Sequence, residues 1–217
     1  MPMKGTYQKH KALVIALAAL AWFAVLLQLF VTLHSNIESG KGVVIGLVGF
    51  LGYFTILTNL LVCFSFTLPL VAPSSAPGGF FARSDVTAGV ATSIAFVSLA
   101  YHFLLRNTWN PQGLQLVADV LLHYVMPLLF LIYWWFNFPK GALRWTYPVI
   151  WGLYPTAYLI YVLIRGSIIG SYPYGFIDPL AIGYQRTMIN AVGLLFVFIV
   201  LGLILVALGR LQRRVSA

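Results

Sequence analysis

A chain of 217 residues that is 61% hydrophobic and only 8% charged, with a mean hydropathy of +0.93, excludes a water-soluble domain, which carries roughly 25% charged residues. Four acids, Glu38, Asp85, Asp119 and Asp178, stand against thirteen Lys and Arg, so the +9 balance asks for an anionic partner. The bases sit singly or in small groups at the ends of apolar runs, which points to a lipid bilayer and not to nucleic acid, and a lone Cys63 excludes an intrachain disulfide or a cysteine zinc site.

A bilayer span needs about 20 apolar residues, because the hydrocarbon core is ~30 Å thick and a helix rises ~1.5 Å per residue. Six stretches qualify, at about 12–33, 43–70, 86–106, 114–137, 143–165 and 187–209, with breaks such as SNIESGK, APSSAPGG and RNTWNPQG between them. Backbone in lipid must satisfy its own hydrogen bonds, and the runs lack barrel-strand alternation, so an all-α bundle of six transmembrane helices in one domain, 1–217, is expected. The first run follows Lys4, Lys9 and Lys11 as a signal peptide would. It exceeds the ~7–15 residues of a signal h-region and lacks a small-residue cleavage site, so it reads as a retained helix. Lys4, Lys9, Lys11, Arg83, Lys140, Arg144, Arg210, Arg213 and Arg214 gather on one side, against Lys41, Arg106, Arg165 and Arg186 on the other. That asymmetry puts both termini in the cytoplasm.

Polar groups inside spans are costly and therefore informative. In the second span Thr55 and Asn59 share a face, flanked by Thr58. A threonine hydroxyl becomes a nucleophile when a base takes its proton, and an amide can donate to a developing oxyanion. The blander reading is helix packing or back-bonding. In the fourth span Asp119 and His123 are four residues apart, so the carboxylate can orient the imidazole. Pro127 follows one turn later and is expected to kink the helix and free the His123 carbonyl. Counted from the span ends, Thr55 lies roughly 18 Å and His123 roughly 13 Å deep on the same side. Tyr101, His102 and Arg106 close the third span in that half, together with Gln28, His34, Arg165 and Arg186. A stripe of Tyr147, Tyr154, Tyr158, Tyr161 and Arg165 reads as aromatic packing with interface anchoring, and the segment SYPYGFIDPLAIGY, with Tyr174 and Asp178, as an ordered element over a pocket mouth.

GYFTILTNLLV in the second span, HYVMP in the fourth and YPYGFIDPLAIG before the sixth together resemble the androgen-induced and androgen-dependent family of multipass membrane proteins, especially its bacterial relatives. Eukaryotic members are lipases with a threonine nucleophile and a histidine that cleave fatty acid esters of hydroxy fatty acids. The resemblance puts the nucleophile on Thr55, with Thr58 as the alternative, and the histidine on His123, where the spacing to the following proline is one residue shorter than in the family. Tyr174, Phe176 and Asp178 match its pattern of aromatic residues followed by an acid.

The resulting expectation is a membrane lipid ester hydrolase of a bacterial inner membrane. Thr55 and His123 are catalytic, Thr58, Asn59, Asp119 and Asp178 supporting, and Tyr101, His102, Arg106 and Tyr174 form the pocket. No cofactor is expected, and the partners are a lipid substrate and the bilayer. Two alternatives remain open. One is a metal-dependent hydrolase drawing on His34, His102, His123 and Asp119 or Asp178, although no pair has the spacing of a ligand motif. The other is a transporter in which Asp119 and His123 relay protons.

Overall fold

The computed structural model describes residues 10–138 and 143–215, without the side chains of 212–215. Lys4, Lys9 and Lys140 of the charge asymmetry lie outside the described residues, as do the side chains of Arg213 and Arg214. Every regular element described is helical. In chain order these are α1 (Lys11–Glu38), α2 (Gly42–Leu51), α3 (Phe54–Val71), α4 (Ala76–Phe81), α5 (Ser84–Leu105), α6 (Gly113–Asn137), α7 (Tyr147–Ile169), α8 (Pro179–Ile182) and α9 (Tyr184–Val215). Six of them, α1, α3, α5, α6, α7 and α9, are long and apolar enough to cross a membrane, and the chain is a multipass membrane protein.

Helix α3 packs between α1 and α5, and α5 packs in turn against α6 and α9. The core is drawn from these central helices through Val62, Phe66, Ala91, Ile94, Met126 and Phe130. Their outward faces stay apolar, with Phe103 76% and Ile168 79% exposed, as expected where the surrounding solvent is hydrocarbon.

The continuous helix expected over 43–70 is in fact two. Tyr53 is extended (φ −87°, ψ 129°) and separates α2 from α3. A break inside an apolar run leaves carbonyls without main-chain donors, which lipid cannot supply. The stripe on α7 supplies them. Tyr158 donates to Gly52 O (2.9 Å), Tyr161 to Leu51 O (3.3 Å) and Arg165 Nε to Val48 O (3.2 Å). A Cβ on Gly52 would stand 3.0 Å from the Arg165 guanidinium and from Gly49 O, so a larger residue there would have to push the arginine aside. The stripe also packs as expected, Tyr154 and Tyr158 against Phe54 and Tyr147 against Trp151, and capping the broken helix is what it adds.

Two π-helical turns, Tyr101–Leu105 in α5 and Leu121–Val125 in α6, interrupt the long helices at the same level. Arg106 N–H bonds five residues back to Tyr101 O, and Met126 N–H to Leu121 O. Such bulges rotate the side chains that follow them and recur at functional sites. The second adds to what Pro127 does. Met126 bonds one carbonyl further back than in an α-helix, which leaves Leu122 O without its helical donor, and Asn59 Nδ2 donates to it (3.3 Å).

Candidate active site

Thr55 occupies the first turn of α3, immediately after the break, where a helix has N–H groups without intrahelical partners. Buried Thr87, Thr92 and Thr187, like Thr156, donate their hydroxyls to a carbonyl one turn back. Thr55 does not. Its Oγ1 lies 3.3 Å from His123 Nε2. The break is what permits this, because with Tyr53 extended Leu51 O no longer lies one helical turn behind Thr55.

His123 is fixed from its other side. Nδ1 stands 3.0 Å from Asp119 O and 3.2 Å from Asp119 Oδ1, two acceptors, so the ring proton belongs on Nδ1 and neutral Nε2 is left as an acceptor for the threonine proton. Of the two contacts only the one to the main-chain carbonyl has hydrogen-bond alignment, leaving Oδ1 buried and unbonded beside the ring. Oδ2 accepts from the Tyr101 hydroxyl. The Tyr101 ring also stacks on the His123 imidazole, with centroids 3.8 Å apart and planes 14° from parallel. The two π-turns therefore present the His123 imidazole and the aromatic ring stacked on it.

Tyr174, from the loop before α8, reaches down to the same place. Its hydroxyl oxygen accepts from the Thr55 N–H (3.4 Å), and its ring packs on Tyr53 and Phe176. Burial pushes the Tyr174 phenol up to about 12, so it stays protonated at neutral pH and remains a donor. Asn59 serves differently from expectation. Both contacts of its Nδ2 are to main-chain carbonyls, Thr55 O (2.9 Å) and Leu122 O (3.3 Å), so it ties α3 to the π-turn of α6 and has no donor left for an oxyanion. Asn59→Leu is expected to lower the thermal unfolding midpoint in detergent by roughly 3 °C or more, since an unmet buried carbonyl costs about 1–3 kcal/mol. An unchanged midpoint would show that the tie is not structural.

The other expected residues lie apart. Thr58 is fully buried with its hydroxyl on Tyr154 (3.0 Å), away from His123, because residues three apart on a helix diverge by a sixth of a turn. Asp178 caps α8, accepting from Leu180 N and Ala181 N, and is held out of the site by that local turn. His102 and Arg106 pair with each other at 3.1 Å on the outer side of the α5 π-turn. His34 pairs with Glu38 at 3.2 Å on the exposed end of α1. Among the described residues no three His, Cys, Asp or Glu converge as a metal site would require.

No family model, curated protein or solved structure matches the chain. What the site can do therefore rests on its own geometry: a hydroxyl, an imidazole in the accepting tautomer and a carboxylate in line, on a wall between two cavities. One cavity, of about 300 Å³, is walled almost wholly by apolar surface, and the other, of about 690 Å³, mixes apolar surface with the polar groups of Gln28, Thr32, Asn36, Gln115, Asp119 and His123. Thr55, Tyr101, Leu105 and Tyr174 line both.

Proposed function

We propose that the protein is a membrane-embedded lipid ester hydrolase with Thr55 as nucleophile, His123 as general base and Asp119 as the group that orients the histidine. The observation that carries this reading is the contact between Thr55 Oγ1 and His123 Nε2, made by a buried threonine that forgoes the usual bond to its own helix. The sequence resemblance to the androgen-induced family supports it independently, since the threonine and histidine of that family fall on this pair.

In the forward step Thr55 Oγ1 bonds to the ester carbonyl carbon as its proton passes to His123 Nε2. The negative charge on the former carbonyl oxygen is met by the Thr55 N–H and the Tyr174 hydroxyl, at the N-terminal end of α3 where the helix dipole is positive. The bond to the alcohol oxygen then breaks and the alcohol leaves with the proton from His123. Water, deprotonated by the same nitrogen, splits the threonyl ester and releases the acid. Asp119 faces the imidazolium that forms in each half-reaction.

A fluorophosphonate probe on purified protein tests the assignment: mapping should find the adduct on Thr55 and none in His123→Ala. An adduct elsewhere, or unchanged labelling of His123→Ala, would sink it. On the same reading, the charge asymmetry supports both termini in the cytoplasm and the site in the opposite half of a bacterial inner membrane. Cys63 is fully buried and is the sole cysteine, so introduced cysteines read without background. In intact cells an impermeant maleimide should label Ser39→Cys, between α1 and α2, and spare Ser74→Cys, between α3 and α4. The reverse pattern inverts the topology.

A further inference from the structure

The two cavities on either side of Thr55 differ in chemistry. The smaller is bounded by Phe96, Val97, Leu159, Ala191 and Leu195, all hydrocarbon, which suits an acyl chain. At ~30 Å³ per water-sized group, 300 Å³ holds about ten chain atoms. The larger is bordered by Gln28, Thr32, Asn36, Thr108 and Gln115 and contains the Asp119 and His123 pair. Gln28 and Gln115 face each other across α1 and α6 through two amide hydrogen bonds of 2.9 and 3.3 Å, and Gln28 Nε2 also reaches Thr32 Oγ1 at 3.1 Å. Each amide oxygen keeps a second lone pair for a guest hydroxyl.

Charge separates the candidate guests. No Lys or Arg is among the described residues that line this cavity, and its only acid is Asp119. Arg165 is occupied by Val48 O and Ser171 O, and Arg106 stands beside His102. A carboxylate or phosphate on the departing alcohol would be desolvated next to Asp119 without a cation to offset it. Hydroxyl groups can pair with the amides and hydroxyls of Gln28, Thr32, Asn36, Thr108 and Gln115.

We infer that the apolar cavity takes the acyl chain and the polar cavity an uncharged, hydroxyl-bearing alcohol, so that the substrates are polyol esters such as monoglycerides. Gln28 and Gln115 set this preference. The inference rests on the hydrolase reading, and the polyol alkoxide departs into the polar cavity carrying the proton from His123.

Purified protein is assayed with three esters sharing a decanoyl chain: its glycerol monoester, its ester with a small hydroxycarboxylic acid and its ester with glycerol phosphate. kcat/KM for the glycerol ester should exceed both anionic esters at least about tenfold. Gln28→Lys and Gln115→Lys, which each add a cation, should move that ratio at least about tenfold toward the anionic esters. A ratio within one preparation is independent of how much of it is folded. Preference for an anionic ester by the native protein, or a ratio that neither lysine moves, overturns the inference while leaving a hydrolase. Absence of turnover with all three esters, together with absence of a probe adduct on Thr55, overturns the hydrolase reading and the inference with it.

Discussion

Replacing Thr55 by alanine should reduce ester turnover by ~10³-fold or more, to the level left by binding alone, whereas Thr58→Ala should keep kcat within about fivefold. The contrast follows from partners. The Thr55 hydroxyl meets an imidazole nitrogen that geometry leaves as an acceptor, while the Thr58 hydroxyl meets a tyrosine that cannot serve as a base at neutral pH. Thr55→Ser, which keeps the oxygen, should retain measurable turnover and probe labelling. Asp119→Asn belongs to the same experiment. An amide in place of the carboxylate offers no charge to the imidazolium, and turnover should fall ~10²-fold or more with KM little altered. Equal losses for Thr55→Ala and Thr58→Ala would point to damage to α3 and not to lost chemistry.

Tyr174→Phe is expected to cost ~10² to 10³-fold in kcat, the usual consequence of losing one oxyanion donor, with KM nearly unchanged. The phenylalanine keeps the stacking on Tyr53 and Phe176, so thermal stability should hold. A loss confined to KM would make Tyr174 a cavity wall only. The steady-state comparison of kcat with KM decides between the two.

Much of the architecture is legible because the bilayer enforces it. Charged residues so few, gathered at the ends of apolar runs, leave no other arrangement than six long helices. Thr55, Asp119 and His123 are legible for the same reason: buried polarity in lipid is expensive enough to demand a partner or a purpose. The break at Tyr53 is not legible, because GLVGFLGYFT is apolar throughout and its glycines are as compatible with a helix in lipid as with a turn. What makes the break stable is Tyr158, Tyr161 and Arg165, more than a hundred positions away, whose spacing reads as ordinary aromatic packing. The π-turns are likewise hidden. A one-residue shift in main-chain pairing has no composition signature, yet it frees the Leu122 carbonyl and makes Asn59 a tie between helices.

The capping of α2 by α7 also sets an order on biogenesis. A nascent chain that has inserted only its first four spans holds both Thr55 and His123, but the carbonyls of Val48, Leu51 and Gly52 still face lipid without donors. Until the fifth span arrives, an extended Tyr53 leaves those three carbonyls unmet, and a break there is costly. The contact between Thr55 and His123 thus sits beside a break whose donors all come from a span inserted after both residues.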